Sequence, residues 1–131
     1  MSLTNTYEDA GLNTLLRGAA WTPPTHLALF TADPGEAGSL ASEVSGGSYA
    51  RVALGTLTTF WAAASGGSIS NANVVDWVKA TANWGTITHV GLMTASSGGA
   101  MVKRAALPAG VPINTNDIFR LEAGALAITL D

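Results

Sequence analysis

The sequence predicts an all-β fold: a single-domain β-sandwich or jelly-roll-like barrel of seven or eight short strands, with one N-terminal helix. Three observations carry this. Short apolar runs with period-two alternation are separated by Gly-, Pro- and Ser-rich turns. One such run occurs twice. Helical spacing of apolar residues is found only near the N-terminus.

The helix is expected over Asn5 to Arg17, with Tyr7, Leu12, Leu15 and Leu16 as an apolar stripe. Asn5 or Thr6 can cap its start, Glu8 and Asp9 fall in the first turn, and Gly18 stops it. Gly11 costs about 1 kcal/mol relative to Ala in the interior, so the helix needs a sheet or a neighbouring subunit to rest on. Pro23 and Pro24 force an extended approach to a strand at Thr25 to Thr31. The small, polar segment 32–48, broken by Pro-Gly and Gly-Gly, marks a long surface loop. A strand over Tyr49 to Thr59 follows, with Gly55 as a bulge. Phe60 to Ala64 is too short to assign. Ser68 to Val78 resumes as strand. Ser96 to Gly99 turns the next strand into Ala100 to Ala106, a hairpin signal. Pro108 and Pro112 bracket an irregular connection, and Phe119 to Leu130 closes the chain as one long strand or two short ones around Gly124.

The centre is expected at Trp84 to Ala95, WGTITHVGLMTA, which is apolar on both faces. Thr88, Val90 and Leu92 alternate against Ile87, His89, Gly91 and Met93. Trp21 to Ala32 echoes it at a spacing of 63 residues (84 − 21), with Trp, Thr, His, Leu, Thr and Ala identical. Both histidines lie in the two copies. A pattern present twice reads as a structural device rather than a site.

Length fits one globular domain over 1–131: helix and arm at 5–17, then a β core over 20–131 with its loop at 32–48. The start lacks a signal-peptide pattern, and no run of 18 apolar residues occurs, so a soluble protein made in the cytoplasm is expected. With no cysteine there is no disulfide framework, thiolate metal site or cysteine nucleophile. Only 11% of residues are charged, against ~25% in ordinary soluble domains. Such a surface suits lasting contact with protein, because interface centres are depleted in charge. A net charge of −3 without a basic stripe argues against nucleic acid.

Little in the sequence supports catalysis. The serines sit in Gly-rich loops without a nucleophile elbow. Asp33-Pro-Gly-Glu36 is a turn before it is an acid pair, and Glu43 and Asp76 are the other carboxylates that could pair. SGGS at 45–48 and at 65–68 lacks the lysine and helix of a phosphate loop. His26 and His89 together fall short of a zinc ligand set, so no metal or cofactor is expected. Trp21 and Trp84 read as core anchors; Trp61 and Trp77 are the candidates for contact, with sugar stacking as the lesser alternative. The expected interface residues are Tyr7, Asp33, Glu36, Glu43, Trp61 and Trp77.

SEVSGGSYARV (42–52), ISNANVV (69–75), ATANWGTITHVGLMTASSGG (80–99) and the terminal FRLEAGALAITLD resemble the short tailed-phage and prophage proteins called "phage tail fiber protein", as does the helix with TPPTHLALFTADPG. The resemblance implies a virion structural protein without catalytic residues, assembling with itself, as a trimer or another homo-oligomer, and with major capsid or tail proteins, away from membranes. A long shaft needs heptads, a β-spiral or collagen-like repeats, none of which is present. The expectation therefore leans to a capsid decoration (cement) protein, with a tail fibre or baseplate component, in contact with the host surface or not, as the alternative.

Overall fold

A computed structural model describes residues 2–129. A short strand β1 (Ser2–Leu3) leads into helix α1 (Asn5–Arg17), whose bounds are those expected from the sequence. Thr4, rather than Asn5 or Thr6, occupies the N-cap position. Its hydroxyl makes no cap bond because it donates to the Met101 carbonyl. Gly18 ends the helix in the left-handed region (φ 69), its N–H donating to the Asn13 carbonyl. Only Tyr7 of α1 is buried; Leu12, Leu15 and Leu16 are exposed.

The main sheet is antiparallel with strand order β1-β7-β6-β2-β3. Its members are β2 (His26–Phe30), β3 (Val52–Ala53), β6 (Gly85–Met93) and β7 (Met101–Ile113), together with β1. The run expected to be central is central. β6 lies third of five and pairs directly with its own echo, β2. Their register is symmetric: His26 faces Met93, Leu27 faces Leu92, Ala28 faces Gly91, Leu29 faces Val90, and Phe30 faces His89. With the copies 63 residues apart, this is a local two-fold whose axis passes through the Ala28–Gly91 pair. Only small residues stand there, and a Cβ on Gly91 would lie 2.8 Å from Phe30 Cε2.

Two two-stranded ladders complete the strands: β4 (Ser68–Ser70) with β9 (Ala127–Thr129), and β5 (Val75–Asp76) with β8 (Arg120–Leu121). They supply the second layer. Leu27, Leu29, Val90 and Leu92 from one face of the main sheet share a core with Val75, Trp77, Phe119, Leu121 and Leu126. Across the sheet, Ala28, Phe30, Met93 and Met101 form a smaller cluster under Leu40. The loop between β2 and β3 covers that second face. Its return is fixed where Val44 N–H donates to the Leu29 carbonyl and Thr31 N–H to the Ser42 carbonyl.

Several local expectations change. Ile87 joins the same core as Val90 and Leu92 instead of sharing the face of His89, because the β6–β7 register breaks between Ile87 and His89. There, 107–110 of β7 have no β6 partners, so the strand passes through Pro108 and Pro112 rather than ending near Ala106. These prolines blunt the outer edge of β7, which β1 covers only at Lys103 and Arg104. The strand expected at Tyr49 to Thr59 pairs only at Val52–Ala53, and Gly55 (φ 67) turns the chain out of the sheet. One helical turn, α2 (Leu57–Phe60), follows. Ser68 to Val78 divides into β4 and β5. The C-terminal run divides around Gly124 (φ 80); Leu130, its expected end, lies outside the described residues.

Candidate contact surfaces

The loop over the second face carries three of the expected contact residues, and arginines hold all three. Asp33 Oδ1 accepts the Gly35 N–H at 2.9 Å, the turn its sequence predicts. Arg104, rising from β7, donates to Asp33 at 2.9 Å and to Glu36 at 2.8 Å. The Gly35 amide and the Arg104 guanidinium hold the Asp33 carboxyl below its ordinary pKa. His89 Nε2 lies 4.0 Å from the same carboxylate. Both acids remain about half exposed. Glu43 is further inside: Arg51 grips both its oxygens, at 2.8 and 2.7 Å, and the Tyr49 hydroxyl donates to it at 2.9 Å. That hydroxyl also accepts the Leu29 N–H, and burial raises its pKa well above the usual phenol value. Arg51 donates in addition to the Ala95 and Gly98 carbonyls, pinning the β6–β7 hairpin.

Asp76 is similarly occupied, bidentate to Arg120 across the β5–β8 ladder at 2.7 and 2.9 Å. Each carboxylate considered for acid-base work thus sits on an arginine, an arrangement that fastens segments together rather than one that moves protons. The histidines do not meet either. Four ladder positions separate them, roughly 13 Å, so one ion cannot bridge the two. Each ring instead bonds through Nδ1 to the preceding threonine hydroxyl, Thr25 or Thr88, at 2.8 Å. Among the described residues no group of three or more His, Cys, Asp or Glu side chains is placed to hold a metal ion.

The aromatic candidates separate. Trp77 is 2% exposed and stands edge-on to Phe119, so it belongs to the core of its own chain. Tyr7 is buried too, edge-on to Trp21. Trp61 is half-buried beside Phe60 and bridges to Asn71, keeping part of its surface outward. Of the six expected contact residues, Asp33 and Glu36 lie together on one loop, Trp61 lies apart from them, and Tyr7, Glu43 and Trp77 point inward.

Sequence reasoning passed over Arg51, Arg104 and Asn71. Buried Asn71 donates to the Asn73 and Glu122 carbonyls and accepts the Leu126 N–H, tying together segments about fifty residues apart. A usable signal existed for the arginines: cations in the strands of a chain so poor in charge need partners. The SGGS at 45–48 also acquires a purpose. Gly47 (φ 58) accepts the Trp84 indole N–H at 3.0 Å, and a Cβ there would lie 2.8 Å from that nitrogen.

A family model described as podophage GP4 fiber I protein gp80 matches residues 2–129. The chain belongs to this family. It is accordingly a phage virion structural protein of the fibre type, in agreement with the resemblance drawn from its sequence. Nothing in the match supports the lean towards capsid decoration; the alternative, a tail fibre, fits it better. A search of curated proteins gave no match. No helix among the described residues is long and apolar enough to cross a membrane.

Proposed function

We propose that this chain is a tail-fibre component that acts by assembly, contacting further copies of itself and other tail proteins, and that it catalyses no reaction. The family match over 2–129 is the observation that carries the placement. The chemistry is in keeping with it. Asp33, Glu36, Glu43 and Asp76 are all spent on arginines within the chain, in a protein of which only 11% of residues are charged. The contact surface on this reading comprises the arginine-stapled loop with Asp33 and Glu36, and the outward part of Trp61. Tyr7, Glu43 and Trp77 support it from within.

A compact module of this length does not make a shaft alone, so it would act as one unit among several in a fibre. Immunogold labelling of purified particles, with quantification of copies per particle, tests the placement. Label confined to the tail at a few to tens of copies is expected. Label spread over the head at hundreds of copies would replace the fibre reading by decoration.

A further inference from the structure

Beside α2 the surface opens into a cleft of about 260 Å³. Leu54 and Val75, both 5% exposed, close its bottom, and Phe60 and Val74 wall it. Exposed Thr56, Thr59 and Asn73 stand round its mouth. Its two sides are tied to each other by backbone: the Ala72 N–H donates to the Phe60 carbonyl at 2.8 Å, and the buried Asn71 carboxamide donates to the Asn73 carbonyl at 2.8 Å. The shape is therefore set before anything enters, which spares a ligand the cost of ordering its site.

The polar side chains at the mouth are uncommitted. Thr56 directly precedes α2, yet its hydroxyl makes no cap bond. Neither Thr59 Oγ1 nor the Asn73 carboxamide has a hydrogen-bond partner among the described residues. Two hydroxyls and a carboxamide offer both donors and acceptors, and no ionisable side chain lines the cleft.

We propose that this cleft binds one neutral sugar residue. Chemistry selects the occupant. A pyranose ring presents C–H groups on its faces and hydroxyls round its rim, which match the Phe60 and Val74 walls and the Thr56, Thr59 and Asn73 mouth respectively. An apolar peptide side chain would cover those three polar groups without giving them partners, at a cost for each. A uronic acid or a phosphate would leave water with no cation to meet it. Size sets the number, because the cleft falls below the ~300 Å³ at which sites for drug-sized ligands begin. It takes a single ring and holds it weakly. The proposal adds a ligand to the assembly reading and does not depend on where the chain sits in the particle.

An amide-resolved NMR titration of the purified chain with glucose, galactose, mannose and N-acetylglucosamine tests it. At least one of these sugars should give shifts that saturate in the millimolar range and are confined to residues 54–60 and 73–75, while glucuronate gives none. Thr59→Trp fills the mouth and should abolish the shifts. Thr56→Val and Asn73→Ala should each weaken binding about fivefold. Because all three side chains are exposed and unbonded within the chain, the variants should keep the thermal midpoint of the parent protein. No saturable shift with any of the four neutral sugars, equal binding of glucuronate, or undiminished shifts in Thr59→Trp would each overturn the proposal. Shifts at these residues from a leucine dipeptide in place of the sugars would overturn it in favour of an apolar peptide. Since these measurements use no particles, their failure leaves the fibre placement standing, and a head location on particles would leave the sugar site standing.

Discussion

The two Trp–Thr–His copies share a register, a threonine–histidine bond and an edge-on tyrosine, yet they fasten different things. Trp84 is 5% exposed, bonded to Gly47 and edge-on to Tyr49 at 5.4 Å, and so locks the loop after β2 to the central strand. Trp21 is half-buried, edge-on to Tyr7 at 5.3 Å, and lies over Gly11, so it holds α1 to the body. What was repeated is a way of seating a strand; the tryptophan at its start was free to take a new neighbour in each place. Position relative to the core, not the motif, sets how much each copy contributes.

Replacing the tryptophans tests this division most severely. Trp84→Ala should cost about 3–5 kcal/mol in urea unfolding, as a large buried side chain leaves a cavity. Trp21→Ala should cost about 1–2 kcal/mol for a half-buried one and should make α1 more open to proteolysis while the sheet persists. Equal losses would end the distinction. The glycine beside each tryptophan sharpens it, because the two should respond with opposite signs. Gly47→Ala combines positive φ with a contact of 2.8 Å and should destabilise by about 1–3 kcal/mol. Gly11→Ala meets Trp21 at an ordinary 3.7 Å and should gain about 0.5–1 kcal/mol from helix propensity. Thermal melts of the pair decide it.

The smallest effect concerns acid, and it separates the surroundings of the two histidines. His89 neighbours Asp33, whereas His26 forms no ion pair among the described residues. The Asp33 pKa is lower folded than unfolded, so its contribution is complete above the unfolded value near 4 and is lost as pH falls through the folded one. Urea midpoints should therefore decline below about pH 4, and Asp33→Asn should flatten part of that decline. An identical decline in the variant would remove Asp33 from the account. Asp76, lowered by Arg120, supplies a remaining share in both proteins.

Local patterns gave much of this fold because they depend on neighbours in sequence. The bounds of α1, the centrality of Trp84 to Ala95, the hairpin at 96–99 and the division at Gly124 all rest on such patterns. Failures came where distant segments decide. Tyr7 and Leu12 were placed on one stripe, but five residues turn a helix by roughly 140° beyond a full circle, and only the body of the protein could say which side faces in. Ile87 changed face because β7 carries extra residues opposite it, which no alternation in β6 records. Trp77 became core through Phe119, far along the chain. The surface was legible to the extent of naming the loop at 32–48; that its acids are consumed by Arg51 and Arg104 depends on strands whose pairing the composition does not reveal.

One consequence of the second sheet face lies in sulfur chemistry. Met93 and Met101 are essentially sealed there, beneath Leu40 and against Phe30, with Gly38 packed close over Met101. Peroxide reaches such thioethers only when the loop lifts, and a sulfoxide once formed is too polar to be closed over again. The oxidation rate of these two methionines is therefore a clock for loop opening, and a single such event would leave the covering of that face undone.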